Sequence, residues 1–117
     1  MRKLILLSFA IFIASISNTF AYQSSTLRPS MGGYAGALVN VNAYCNYIGF
    51  QCYFDVSAGG SAVAYESGGT GTLIGEHIYN LSNSNTYSNT IYNYQYWGTI
   101  QMYMYGASTD YATLFWD

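Results

Sequence analysis

Apolar residues recur at every second position along much of the chain, and glycine, asparagine and serine interrupt this pattern at short intervals. From Ala37 to Cys45, for example, the odd-numbered residues are small or apolar, whereas Asn40 and Asn42 lie on the opposite face. A period of two is typical of β-strands and not of helices. About seven or eight such strands with turns between them favour an antiparallel β-sandwich or a flattened barrel. We therefore predict an all-β fold that follows a cleaved N-terminal signal helix.

The first residues resemble an export signal. Arg2 and Lys3 precede the apolar run Leu4–Ile16, and small residues lie at the positions required for cleavage after Ala21. The run is shorter than the roughly 20 residues of a membrane-spanning helix. We predict a signal peptide over 1–21, a polar N-terminal arm or edge segment over 22–35, and one β domain over 36–117. The mature protein would be secreted, to the periplasm or the exterior, without a membrane span.

Charge after cleavage excludes several classes of partner. The mature chain would keep a single base, Arg28, and five acids, which gives a formal charge of −4. Binding to nucleic acid requires lysine and arginine to neutralise phosphates, so nucleic acid is excluded as a partner. Anionic membrane surfaces are excluded for the same reason.

The cysteines Cys45 and Cys52 are the only two in the chain. In an exported protein such a pair predicts a disulfide. If the two strands form a hairpin around this bond, Ala43 faces Phe54, so that apolar residues meet on one face.

The same register continues into a third strand. Val41 would face Val56 in the hairpin, and a glycine turn at 59–60 would then place Val56 opposite Val63. The sequence thus predicts a meander of consecutive strands.

Residues that could perform catalysis are sparse. His77 is the only histidine, and its neighbour Glu76 would point to the opposite face of a strand. Asp55 and Glu66 could lie diagonally on one outer face, where carboxylates usually interact with solvent. A metal site would need more soft ligands than His77 supplies. We therefore predict no enzyme activity, no metal and no cofactor.

Tyrosine is the most distinctive residue type, with 14 in the chain. A spacing of two would place several tyrosine rings along one sheet face, with amides beside them. We predict that a ligand binds to the surface made by Tyr92, Tyr94, Tyr96, Trp97, Tyr103, Tyr105, Asn93 and Gln95.

Three explanations of these tyrosines remain open at this point. The rings could pack against one another, form a platform on which sugar rings stack, or drive self-association. Our leading hypothesis is a secreted, non-catalytic binding module for a neutral glycan or a protein partner. The alternatives are a self-assembling extracellular structural or matrix protein and a small secreted antibacterial or host-directed toxin.

Overall fold

The computed structural model describes residues 23–29, 33–68 and 71–117, and the predicted signal peptide lies outside these residues. This described part contains β-strands and no helix, hence no helix able to cross a membrane. The strands are β1 (Gln23–Leu27), β2 (Gly33–Cys45), β3 (Ile48–Tyr53), β4 (Gly60–Ser67), β5 (Leu73–Tyr79), β6 (Thr86–Ile91), β7 (Gln95–Gly106) and β8 (Tyr111–Trp116).

The strands form two four-stranded antiparallel sheets. We call the sheet with order β1-β8-β3-β6 the first sheet, and the sheet with order β2-β7-β4-β5 the second sheet. Only β4 and β5 are consecutive strands that pair with each other. This order is that of a double-sheet jelly roll. The predicted all-β antiparallel sandwich is confirmed.

The predicted meander is wrong. Residues of β2 pair with β7, as in Val39 opposite Ile100, and residues of β3 pair with β6 and β8. Val56 lies in the turn after β3 and is 66% exposed, so it does not face Val41 or Val63. The alternation of apolar residues determines which side of a strand faces the core, but it does not determine the neighbouring strand.

The predicted disulfide is also absent, because the hairpin that would hold it does not form. Cys45 ends β2 in the second sheet and Cys52 lies in β3 of the first sheet, and both are free, buried thiols. Burial raises the pKa of Cys52 to about 12. Burial also raises the pKa of Cys45, and the nearby negative charge of Asp117 adds to this effect. Both thiols are therefore neutral and unreactive near neutral pH.

The core fills the space between the two sheets. In β7 the side chains of Ile100, Met102 and Met104 are buried, while Tyr103 and Tyr105 point outward, as the alternation predicts. The first sheet contributes buried side chains that include Phe50, Cys52, Leu114 and Trp116.

A β-bulge changes the direction of the side chains in β7. Val41 and Asn42 of β2 together face the single residue Gly98, and Asn42 adopts a left-handed conformation with φ of 47°. A bulge of this kind shifts the alternation by one residue. Trp97 consequently points into the core, with 1% of its surface exposed.

The segment predicted as an arm or edge segment, 22–35, contains β1, which is the edge strand of the first sheet. It pairs with β8 over its whole length, and Leu27 at its end is buried. At the opposite end of the chain, the buried Asp110 carboxylate accepts hydrogen bonds from the backbone N–H of Asp55 and of Ala107, both at 2.7 Å. These bonds fix the β3–β4 and β7–β8 connections to each other.

Candidate functional site

A pocket of about 370 Å³ opens on the outer face of the first sheet. Its lining comes from β1, β3, β6, β8 and the loops that precede β3 and follow β6. We call it the ring pocket, and its residues are Ser24, Tyr47, Gln51, Thr90, Tyr92, Thr113 and Phe115.

Three aromatic rings form one side of the ring pocket. The Tyr47 ring centroid lies 6.1 Å from that of Tyr92 and 6.3 Å from that of Phe115. Tyr47 precedes β3, and its backbone exchanges hydrogen bonds with Asp117: Tyr47 N donates over 3.3 Å and Asp117 N donates back over 3.2 Å. The chain end just after β8 therefore holds Tyr47 beside Phe115.

Gly49 provides the space in which Phe115 lies flat on the sheet. The two residues are directly opposite in β3 and β8. A Cβ atom on Gly49 would overlap the Phe115 ring, and it would also lie 2.9 Å from Thr90 Oγ1. Any larger residue at this position would push Phe115 into the pocket.

Neutral polar groups form the rest of the lining. Thr113 Oγ1 is hydrogen-bonded to Thr26 Oγ1 at 3.0 Å. The side chains of Ser24, Gln51 and Thr90 have no hydrogen-bond partner among the described residues, so they are available to a ligand. None of the lining residues that the structure describes carries a carboxylate, amine, guanidinium or imidazole group. The pocket thus combines aromatic surface with uncharged donors and acceptors.

A second depression continues from the ring pocket along the same face. It has a volume of about 270 Å³ and shares Gln51 with the ring pocket. Its aromatic part is a pair of stacked rings, Tyr53 and Tyr111, whose centroids are 5.4 Å apart at an interplanar angle of 24°. The Arg28 guanidinium lies 5.0 Å from the Tyr111 ring centroid, a cation–π arrangement that helps to fix this ring.

The outer face of the second sheet is different in character. Tyr34 and Tyr105 have ring centroids 4.8 Å apart, and Tyr65 lies 6.4 Å from Tyr103. The depression between them, about 160 Å³, has Glu76 at its side. The described lining of this depression thus combines aromatic and apolar side chains with Ser61 and the Glu76 carboxylate, whereas the described lining of the ring pocket combines aromatic rings with hydroxyl and amide groups.

The predicted ligand-binding residues do not form one face. Strand β6 ends at Ile91 and β7 begins at Gln95, so Tyr92, Asn93 and Tyr94 belong to a loop and not to a strand. Tyr92 lines the ring pocket. The remaining predicted residues are distributed elsewhere: Tyr94 and Tyr96 contact Tyr44, Tyr103 and Tyr105 lie on the second sheet, Gln95 pairs with Cys45, and Trp97 is in the core.

Sequence reasoning missed most of the ring pocket. The alternation of Tyr111, Thr113 and Phe115 with the buried residues Ala112, Leu114 and Trp116 was the available signal. It identifies an outward aromatic and hydroxyl face on β8. The partners of this face come from β1 and β3, far away in the sequence.

The candidate catalytic residues have structural contacts. His77 Nε2 donates a hydrogen bond to the Ser84 carbonyl oxygen at 2.7 Å, and its ring stacks on Tyr87 at 5.3 Å. Glu66 Oε2 accepts a hydrogen bond from Gly98 N at 3.2 Å. No group of three potential metal ligands occurs among the residues that the structure describes.

No family model and no curated protein matches the sequence of this chain. Among solved structures, the pre-peptidase C-terminal domain of collagenase from Bacillus anthracis is similar, with 14% identity, 80% of this chain and 85% of that chain covered, and a TM-score of 0.50. The Yersinia pseudotuberculosis-derived mitogen has 11% identity, 82% and 83% coverage, and a TM-score of 0.47. TmCBM61, solved in complex with β-1,4-galactotriose, has 13% identity, 83% and 87% coverage, and a TM-score of 0.39. At 14% identity the likeness to the collagenase domain shows a shared fold and nothing further.

Proposed function

We propose that this protein is a secreted, non-catalytic module that binds a neutral glycan in the ring pocket. The observation that carries the proposal is the composition of the pocket: Tyr47, Tyr92 and Phe115 form one side of it, and the lining also contains neutral side chains that have unused hydrogen-bonding capacity. Binding sites typically combine apolar and aromatic surface with a few polar groups that fix orientation.

A sugar ring matches this combination of groups. Its C–H faces are apolar and pack on aromatic rings, while its hydroxyls need donors and acceptors when they leave water. The amide of Gln51 offers both, as do the hydroxyls of Ser24 and Thr90. A charged ligand would find no counter-ion among the described lining residues, so the ligand that fits is neutral.

The test is a titration of the protein with neutral oligosaccharides of the cello-, manno-, xylo- and galacto- series. Tyrosine fluorescence and calorimetry measure the binding. We expect saturable binding to at least one series, weakened at least about tenfold by Phe115→Ala, because a contact between aromatic and apolar surface is lost. Gln51→Ala should also weaken binding, and it leaves the packing of Phe115 in place.

The matched control is Tyr103→Ala, which removes an outward aromatic ring from β7 on the opposite face. It should bind the sugar as the wild type does, and thermal unfolding should show that all three variants are folded. Absence of saturable binding to every series, or equal loss in the Phe115 and Tyr103 variants, would contradict the proposal.

Self-association is the second candidate function, and it rests on the second sheet. The side chains of Tyr34, Leu38 and Ile78 project from its outer face and are 83%, 60% and 65% exposed. An exposed apolar surface of this kind is typical of an interaction site. Light scattering during the same titration separates the two functions: growth in particle size without a response to sugar favours assembly.

A further inference from the structure

The ring pocket and the second depression lie on one continuous line along β3 and β8. Three pairs of directly opposite residues follow one another on this outer face: Gly49 with Phe115, Gln51 with Thr113, and Tyr53 with Tyr111. Phe115 of the first pair lines the ring pocket and both residues of the third pair line the second depression, while Gln51 lines both. The face therefore has two aromatic positions with a polar pair between them.

The distance between the two aromatic positions is set by the strand. Phe115 and Tyr111 are four residues apart in β8, which corresponds to about 13 Å along an antiparallel strand. This distance exceeds the size of one sugar ring. A single sugar in the ring pocket would leave the Tyr53–Tyr111 pair without contact.

The described side chains between the two positions are uncharged and polar. Gln51 and Thr113 form the central pair, and the next residues across the sheet are Ser88 on β6 and Thr26 on β1. Hydroxyl and amide groups thus cross the middle of the face from one edge strand to the other. These groups suit a ligand that carries hydroxyls along its whole length.

At the Tyr53–Tyr111 end, two aromatic rings contact each other and a guanidinium supplies hydrogen-bond donors. The two rings stack on each other, and the Arg28 guanidinium lies over Tyr111. Arg28 forms no salt bridge with any carboxylate of the described residues, so its N–H groups are available to sugar hydroxyls.

From this arrangement we propose that the site takes a linear neutral oligosaccharide and not an isolated sugar. The chain lies along β3 and β8, with one unit in the ring pocket and another against Tyr53, Tyr111 and Arg28. This inference rests on the proposed function and specifies its ligand as a stretch of polysaccharide chain.

The experiment measures affinity against chain length, from the monosaccharide to the hexasaccharide of whichever neutral series binds. We expect affinity to rise by at least about tenfold until the chain reaches both aromatic positions, and to stay constant for longer chains. Tyr53→Ala should remove most of this gain while the affinity for the monosaccharide stays unchanged.

Arg28→Gln provides a second variant, since it changes an exposed side chain and leaves both tyrosine rings in place. It should remove part of the gain with length. Tyr65→Ala, a half-buried tyrosine of the second sheet, is the matched control and should retain the whole gain.

The outcomes separate the two proposals. If the monosaccharide and the hexasaccharide bind with equal affinity, or if Tyr53→Ala and Arg28→Gln keep the full gain, the extended site is wrong while the ring pocket stands. If no sugar of any length binds to the wild-type protein, both proposals are wrong.

Discussion

Both outer faces of the sandwich have an aromatic ring beside a glycine, but the surroundings of the ring differ between the two faces. On the first sheet Phe115 lies across Gly49, and on the second sheet Tyr103 lies beside Gly36, where a Cβ atom would be 3.1 Å from the ring. Gly49 is buried on the central strand β3, whereas Gly36 is exposed on the edge strand β2. An aromatic ring over a glycine makes a pocket only where neighbouring loops add walls, as those carrying Tyr47 and Tyr92 do.

The polar residues differ between the faces as well. The first sheet places serine, threonine and glutamine between its rings, while the second sheet places Leu38, Leu73 and Ile78 beside its tyrosines. A hydroxyl-bearing ligand is therefore better matched by the first face. An apolar surface of another protein is better matched by the second.

The largest expected effect comes from Gly49→Ala compared with Gly36→Ala. The first substitution forces Phe115 out of its position, so we expect a loss of about 1–3 kcal/mol in the free energy of unfolding. Glycan binding should be lost with it. At Gly36 the exposed Tyr103 ring can move aside, so the change should stay within about 1 kcal/mol and binding should be retained.

Urea denaturation and sugar titration of both variants provide the measurements. Equal destabilisation by the two substitutions would show that the faces are not different in the way described. Retained glycan binding in a folded Gly49→Ala variant would show that the position of Phe115 does not matter for the ligand.

A smaller effect is expected for the tyrosine pairs that face each other across strands. Tyr53–Tyr111 on the first sheet and Tyr34–Tyr105 on the second are both directly opposite pairs. We expect coupling free energies of about 0.5–1.5 kcal/mol, measured by double-mutant cycles with alanine in chemical denaturation. The first pair should give the larger value because its rings are half-buried and Arg28 packs on them, whereas Tyr34 is 83% exposed. A larger coupling for the exposed pair would reverse this ranking.

The smallest effect concerns pH. We expect the stability of the fold to depend on pH, and the sugar affinity of the ring pocket not to depend on it. Hydrogen bonds from the backbone N–H and the side chain of Ser57 hold the pKa of Asp55 below its ordinary value, and Thr109 contributes as well. The folded pKa is therefore lower than the unfolded one, so this carboxylate stabilises the fold above the unfolded pKa of about 3.9. Its contribution is lost as the pH falls through the folded value.

Asp55→Asn should consequently flatten the decrease of stability below about pH 4 in thermal unfolding. Sugar affinity of the wild type should stay constant between neutral pH and about pH 5, because none of the described residues that line the ring pocket carries a carboxylate or an imidazole. A change of affinity in that range would indicate an ionisable group at the site.

Much of the secondary structure could be predicted from the sequence, because the alternation of apolar and polar residues within a strand shows which of its side chains are buried. The buried Ile100 and Met102 and the outward Tyr103 follow directly from alternation. The alternation of inward and outward residues in β7 breaks at Trp97. The cause is the bulge at Val41 and Asn42, which lies on a different strand and therefore cannot be recognised in the sequence of β7.

The pairing of strands and the site could not be predicted, for the same physical reason. The short connection between Cys45 and Ile48 looks like a hairpin turn, but it carries the chain from one sheet to the other. Partners such as Ser24 and Phe115 meet only in the folded protein. A pocket assembled from such pairs has no motif in any single segment.

The position of β8 has a consequence for the time course of folding. This strand, Tyr111–Trp116, comes after the other seven described strands in the sequence, yet it lies between β1 and β3 in the middle of the first sheet. The pairs that β8 forms with β1 and β3 join segments far apart in the sequence, and such contacts form slowly because a long loop must close first. The first sheet, and with it the glycan face we propose, is therefore complete only after β8 has entered between β1 and β3.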